Sequence, residues 1–419
     1  MNRKKLLNNT IMLYLLTASN YLFSFITVPY QTRVIGPELY GNIGFASAFM
    51  VYFSLTLDFG FLLSATEEVS RNREDRSSLS RILTSVTVCK LLLALISCAV
   101  FAVLFCFIGR LREDPLLFAL YFLSALVSAF LPDYLYRGLE EMRAITLRSV
   151  GIRLFFTLMI FAFLKRPEQY YMIPLFTLLG NIGALLFVYL HVTHRLGIPF
   201  CRTERAEIGR TFRRASMFFY SRIASTVYSA TNTFVLGMLY GNSSSVVGFY
   251  TAADKLVSTG KQGMTPVVDS LYPHMIARKD YKIIKYILII SMPIITAGCV
   301  IIAVFAYDIC ALLFGEAFRG AGIYLRYMTP VLWCAFPAML FGFPVMSPLG
   351  LTKYTNWSNI FGAALQLTML LGLFAAGAVT ALHICIITCI TELATTAFRI
   401  GVVGVHVWRE RKKRGALFG

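Results

Sequence analysis

Apolar runs of about 20 residues, the length a helix needs to cross a hydrocarbon core of roughly 30 Å, follow one another along almost the whole chain. They fall at 9–32, 42–64, 84–108, 116–136, 145–164, 171–192, 216–239, 246–272, 284–306, 324–346, 356–376 and 379–405. In lipid every backbone amide must find its partner within the protein, so such runs fold as helices. The pattern predicts an all-α transmembrane protein of about twelve membrane-spanning helices. Composition agrees: 57% of residues are hydrophobic and 14% charged, where a soluble domain carries about 25% charge.

Orientation follows from where Lys and Arg sit in short loops. With the N-terminus in the cytoplasm, the cytoplasmic segments hold 26 of the 39 basic residues. They include Arg3, Lys4 and Lys5, the loops around Arg71–Arg81 and Arg137–Arg148, the six arginines of 195–214, the four basic residues of 278–285, Lys353 and the five of 409–414. The opposite side holds Arg33, Arg110, Arg112, Lys165, Arg166 and Arg319. The asymmetry predicts both termini in the cytoplasm. The +18 net charge is therefore a topology signal facing anionic lipid, and no nucleic-acid partner is expected.

No hydrophilic stretch is long enough for a soluble domain; the longest are 67–81, 193–214 and 409–419. The opening MNRKKLLNNTIMLYLL has no small-residue cleavage site and reads as an uncleaved first span. Nine cysteines lie almost entirely in spans without a CxxC pair and read as reduced and structural. Cys385 and Cys389 share a helix face as packing residues. His191 and His194 flank a loop, HExxH is absent, and no metal site is expected.

A short internal repeat joins IGPELYGNIGFASAF at 35–49 with LYGNSSSVVGFYTAA at 239–253. Each has glycine, a polar turn, then Gly-Phe opening the next helix. The repeat divides the chain into an N-terminal six-helix bundle at 1–200 and a C-terminal one at 201–419. With six spans each, the halves have parallel topology. Pro29 is expected to end the first span, and Pro132 falls late in the fourth. Gly260, Gly263 and Pro266 punctuate the eighth, and Pro293 the ninth. Pro330, Pro337 and Pro344 share one face of the tenth. Such breakers are tolerated where a helix is buried in protein or lines a wet cavity.

Ionisable groups at mid-membrane depth cost about 2.5–3.5 kcal/mol each on insertion scales, so each needs a reason. Within the spans stand basic Lys90, Arg153, Arg222, Lys255, Lys261, Arg326 and Arg399, and acidic Asp58, Asp133, Asp254, Asp269 and Glu392. In the eighth span Asp254 and Lys261 lie seven apart, and Lys255, Gln262 and Asp269 form an adjacent stripe. Glu392 and Arg399 repeat the spacing in the twelfth. Lys90, Arg153, Arg222 and Arg326 have no acid at helical spacing in their own spans. A surplus of positive charge suits an anionic passenger, since Arg grips phosphate through paired hydrogen bonds. Arg153, Arg222, Lys255, Lys261 and Arg326 are the expected headgroup ligands. Asp58, Asp133, Asp254, Asp269 and Glu392 are expected either to couple a proton or Na+ or to balance those bases, and Asp58 equally to cap a helix at the membrane edge.

The segments YLFSFITVPYQTRVIGPELYGNIGFASAF (21–49), DFGFLLSATEEVSRNRED (58–75), LPDYLYRGLEEM (131–142), GFYTAADKLV (248–257), LYPHMIARKD (271–280) and LLFGEAFRGAGIYLR (312–326) resemble one family. It is the Wzx-type O-antigen and polysaccharide flippases of the multidrug/oligosaccharidyl-lipid/polysaccharide exporter superfamily. Arg137 departs from the family's usual glutamine in the third of these segments. The resemblance implies two six-helix bundles around a central cavity, in the cytoplasmic (inner) membrane of a bacterium. It implies a passenger, an undecaprenyl-pyrophosphate-linked oligosaccharide, carried to the periplasmic leaflet by alternating access. It also implies a polysaccharide polymerase and a chain-length regulator as partners, with no catalytic residues and no cofactor. A membrane polymerase or ligase would need a sizeable external loop, and the external loops here are short. A multidrug or cation antiporter would want net acidic charge inside, and a scaffold would not need so many buried charges. A lipid II flippase usually has two more helices than the runs supply.

Overall fold

The computed structural model describes residues 3–241, 244–278 and 281–416. Asn242 and Ser243 of the second repeat turn, and Lys279 and Asp280 of the LYPHMIARKD segment, lie outside the described residues. Helix accounts for 88% of the chain, and no strand occurs among the described residues. The helices group into two compact units, Met1–Ser244 and Ser245–Gly419.

The first unit contains α1 (Arg3–Asp58), α2 (Phe61–Arg71), α3 (Arg76–Phe107), α4 (Gly109–Glu113), α5 (Pro115–Ala129), α6 (Asp133–Gly138), α7 (Met142–Phe163), α8 (Met172–Leu190) and α9 (Arg205–Tyr240). The second contains α10 (Ser245–Arg278), α11 (Tyr281–Val304), α12 (Ala306–Phe314), α13 (Ala321–Leu340), α14 (Phe343–Met346), α15 (Thr352–Ala375) and α16 (Ala381–Ala416).

Among the described residues, nine helical stretches are long and apolar enough to cross a membrane. The first, Leu15–Arg71, is 57 residues long and is not one rod. Gly36 has φ 76° and ψ 173°, a conformation that L side chains avoid, and it divides the stretch into two lengths that each suffice for a crossing. Helix α1 runs through Pro29, so the expected end there is corrected: a ring costs one hydrogen bond and a kink, whereas Gly36 leaves helical geometry altogether. Pro37 follows as the first residue of the new segment, where its missing N–H costs nothing. The tenth span is corrected too. Pro330 and Pro337 lie inside α13, but the chain breaks at Gly342 and Pro344 opens α14.

Helices α9 and α10 have 36 and 34 residues yet are not among the nine apolar stretches. They carry Arg222, Asp254, Lys255, Lys261 and Asp269, and in α9 serines, threonines and Asn232 lower the hydropathy as well. The two long helices that fail as apolar rods hold five of the twelve charged groups expected within the spans.

Lipid tails are as apolar as leucine, so helices in a bilayer associate through close packing rather than hydrophobic burial. In the first unit α9 lies along α1, and a Cβ on Gly237 would stand 2.3 Å from the Phe45 ring. Aromatic rings extend this seam to α3 and α5. Phe49 stacks on Phe234 at 5.9 Å, and Phe101 on Phe122 at 4.2 Å; each such pair contributes about 0.5–1.5 kcal/mol beyond its area. In the second unit α13 is the central helix, with 72% of its span window buried, and α10, α11, α12 and α16 pack around it. Only 6% of the α11 window is buried.

Candidate functional site

The site in the first unit begins with how α1 stops. Asp58 is its last residue, and Phe59 and Gly60 follow with φ 41° and 80°. At Gly60 a Cβ would meet Ala215 O at 2.6 Å, Phe218 Cβ at 2.8 Å and Phe219 N at 2.9 Å, all on α9. The left-handed backbone and the contact with α9 both require glycine there. Phe59, a bulky residue in a strained conformation, is held by rings on both sides, Phe212 and Phe219, with centroids at 4.4 Å. The turn leaves Asp58 beside α9, where its Oδ2 accepts a hydrogen bond from Arg222.

Lys90 approaches from α3. It is 5% exposed, and its Nζ donates to the carbonyl of Ala129 at 2.5 Å while lying 5.5 Å from the Tyr134 ring centroid. Ala129 is the last residue of α5, so this carbonyl belongs to the negative end of the helix and has no amide partner further on. Asp133 opens α6 four residues later, and Arg148 of α7 reaches its Oδ1 at 2.7 Å. That pair is close but poorly aligned, because neither Asp133 Oδ1 nor Arg148 Nη1 makes a hydrogen bond. Arg148, counted with the basic loop of 137–148 although the expected span 145–164 contains it, is packed rather than exposed. Its side chain is only 6% exposed, because α7 starts at Met142 and carries it into the packed interior.

These groups surround a cavity of about 430 Å3 lined by Asp58, Lys90, Asp133, Tyr134, Ser128 and Arg222 among others. Two carboxylates face two cations, and Arg148 behind Asp133 makes the cluster net positive. Arg222 and Asp58 keep 38% and 25% of their side-chain surface exposed, so a ligand can reach the pair. An anionic group entering here meets Arg222 and Lys90 and competes with Asp58 for the guanidinium.

The second unit holds a separate polar group. Lys261 of α10 pairs with Glu392 of α16, at 24% and 12% exposure. Asp254, two turns before Lys261 on α10, feels the charge of Lys261 and then of Lys255. Arg399 is held without a carboxylate: it donates to Ser358 Oγ at 2.8 Å, Ala338 O at 2.6 Å and Asn359 Oδ1 at 2.7 Å, tying α16 to α15 and α13.

Of the ten residues expected from sequence, Asp58, Asp133 and Arg222 line the first cavity, and Asp254, Lys255, Lys261 and Glu392 belong to the second group. Arg153 is half-buried on α7, while Asp269 and Arg326 are exposed on α10 and α13, and none of the three lines the cavity. Arg222, which has no acid at helical spacing in its own span, pairs with Asp58 of α1. Lys90 and Arg148 belong to the cluster although neither stands among the expected ligands. Lys90 has a signal in the sequence, as the one ionisable residue deep in an apolar helix of 32 residues. Among the described residues no three His, Cys, Asp or Glu come together as a metal site.

The family model described as "Polysaccharide biosynthesis protein" matches residues 6–279, which contain all five charged groups of the first cavity. The chain belongs to that family. Among curated relatives, one from Shigella dysenteriae named "Putative O-antigen transporter" is 28% identical over 65% of this chain and 68% of its own length. A protein of Escherichia coli (strain K12) with the same name is 24% identical over 88% of this chain and 90% of its own. Among solved structures, the inward-facing conformation of a multidrug resistance MATE family transporter of the MOP superfamily superposes with a TM-score of 0.69. It covers 92% of this chain and 95% of that one at 16% identity. A MOP superfamily transporter from Pyrococcus furiosus, described as having a binding pocket of reversed polarity, gives 0.59 at 14% identity over 96% of both chains. At these identities the structures establish the fold alone. With the family and the transporter relatives, they make the chain a multi-pass membrane transporter of polysaccharide biosynthesis, not an enzyme.

Proposed function

We propose that the chain is a flippase that carries undecaprenyl-pyrophosphate-linked oligosaccharide repeat units from the cytoplasmic to the periplasmic leaflet. The observation that carries the reading is the 430 Å3 cavity in which Lys90 and Arg222 face Asp58 and Asp133, with Arg148 adding a fifth charge. The pyrophosphate takes Arg222 from Asp58 and gains Lys90 as a second contact. Charge-assisted bonds of this kind are worth about 1.5–3 kcal/mol each. They replace part of the hydration the headgroup loses on crossing. Lys255 and Lys261 form a second basic group on α10, and Arg153 and Arg326 remain headgroup ligands by their charge and depth. Asp58, Asp133, Asp254, Asp269 and Glu392 are the groups at which a coupling proton or Na+ would act.

Support for the passenger comes from the family and from the name of the two relatives. The positive-inside pattern supports termini in the cytoplasm, and the family supports the inner membrane of a bacterium as the location. Two bundles, at 1–200 and 201–419, would alternate access by rocking, and a polysaccharide polymerase and chain-length regulator would receive the product. A cationic drug finds no free carboxylate in the first cavity, since Asp58 and Asp133 already have arginines.

The test is deletion of the gene, followed by glycan accessibility in intact spheroplasts and in opened vesicles. Lipid-linked oligosaccharide accumulating on the cytoplasmic face, cleared by the native chain but not by Arg222→Ala or Lys255→Ala, is the expected result. Accumulation on the outer face, or unchanged glycan, overturns the reading.

A further inference from the structure

Counting charge around the first cavity leaves one group over. Asp58 is paired with Arg222 and Asp133 lies against Arg148, one carboxylate to one guanidinium. Lys90 is the remainder. Among the described residues no carboxylate comes within ion-pair distance of its Nζ, which meets the Ala129 carbonyl and the Tyr134 ring instead. As an ammonium it gives the cluster a surplus of one positive charge. As an amine it leaves two acids against two arginines.

Around Lys90, few groups can change charge as a ligand comes and goes. Arg222 on α9 and Arg148 on α7 keep their protons in any protein environment. Asp58 at the end of α1 and Asp133 on α6 each have a guanidinium to answer their charge. From α5 come Ser128 and the Ala129 carbonyl. Tyr134 on α6 and Tyr189 on α8 are phenols, and that of Tyr189 donates to Phe130 O. Cys89, the neighbour of Lys90 on α3, donates to Ile208 O. Lysine differs from all of these. Burial disfavours an ammonium, a nearby anion favours it, and an amine still has the N–H that the Ala129 bond needs. Lys90 is 5% exposed, and the anion that restores its charge is the passenger's.

We infer, on the flippase reading above, that headgroup and proton bind together. Lys90 is a neutral amine in the empty cavity, takes a proton from water as the anion arrives, and returns it to water as the anion leaves. Arg222 and Asp58 are part-exposed, so water reaches the cluster. The coupling site is then a lysine rather than one of the five carboxylates. Proton and headgroup are linked reciprocally, each raising the affinity for the other by the same factor. The empty chain resets with its charges balanced, and the loaded one carries a cation to set against the phosphates.

The test is calorimetry on the full chain in nanodiscs with symmetrical dimethyl pyrophosphate, whose charge does not change between neutral and alkaline pH. At about pH 8, in Tris and in Hepes, buffers of unlike ionisation enthalpy, the binding heats should differ by the uptake of up to one proton per ester bound. Once the empty chain has lost that proton, affinity should fall about tenfold per further pH unit. Lys90→Arg keeps the cation but cannot titrate, so its affinity should not change with pH. Lys90→Met should bind weakly and be equally flat. Binding by the native chain without proton uptake, or a pH slope that survives in Lys90→Arg, overturns the inference while the headgroup site and the flippase stand. Should neither variant bind measurably, the Nζ resonances of nitrogen-15-labelled lysine in the native chain decide. An amine signal that becomes an ammonium on adding the ester is expected, and an ammonium in both states overturns the linkage. An ester that does not bind the native chain at all removes the headgroup site, and the flippase reading falls first.

Discussion

Replacing three glycines one at a time separates torsional strain from collision at the turn that sets Asp58 in place. Gly183 lies in α8 with nothing within 4 Å of an added methyl and no positive φ, so Gly183→Ala should be neutral or stabilising by about 0.5–1 kcal/mol. Gly36 also has open space, but its φ is +76°. Gly36→Ala therefore bears the left-handed penalty alone, about 1–2 kcal/mol. Gly60 has φ +80° and three α9 atoms within 2.9 Å of the added carbon, two of them backbone. Relief requires α9 to move away from α1 and α2, and overpacking of that kind costs about 1–3 kcal/mol more. Gly60→Ala should thus lose roughly 2–5 kcal/mol in total. Heat inactivation of the purified chain in one detergent, read by the protein remaining monodisperse after a fixed interval, should rank the variants Gly183→Ala, native, Gly36→Ala, Gly60→Ala. A Gly60→Ala chain as stable as Gly36→Ala would show that α9 does not hold the turn, and the account of how Asp58 meets Arg222 would fail.

Competition for one guanidinium predicts opposite effects from the two ends of its ion pair. Asp58→Asn removes the carboxylate that competes for Arg222 and should tighten binding of a soluble pyrophosphate ester in calorimetry, whereas Arg222→Gln should weaken it by about 1.5–3 kcal/mol, or roughly 10- to 150-fold; effects of the same sign would count against competition. Arg399→Lys keeps the charge but cannot reach Ser358, Ala338 and Asn359 together. It should cost about 2–4 kcal/mol in the same heat assay, more than a conservative exchange at an exposed arginine such as Arg71. Asp75 caps α3 through the hydroxyl and amide of Ser78 and those of Ser77, which hold its carboxyl well below the usual range. Its contribution is present in full above the unfolded value of about 3.9 and is lost as pH falls from there through the lower folded value, so the gap between native and Asp75→Ala chains should stay constant from pH 7 to about 5 and narrow progressively below about 4.

The location of apolar spans is legible in the sequence because the bilayer imposes one length and one polarity on every crossing, and runs such as 84–108 and 171–192 cannot hide. Partners are not legible, for a physical reason. Spacing along a helix reports which residues share a face, so Asp254 with Lys261 and Glu392 with Arg399 stand out at seven residues. The structure pairs across helices instead. Lys261 reaches Glu392, 131 positions away, and Arg222 reaches Asp58, 164 away. A guanidinium in a dry interior binds the carboxylate that packing brings near, and helix periodicity says nothing about which helix that is. The same physics accounts for Arg148, whose sequence neighbours look like a basic loop until α7 is found to begin six residues earlier. It also explains why α9 and α10 matter most. They are the least convincing as spans because charged and hydroxyl-bearing side chains lower their hydropathy, and costly charges kept at membrane depth point to a use for them. The helices that a hydropathy count rejects are therefore the first to search for the passenger's headgroup.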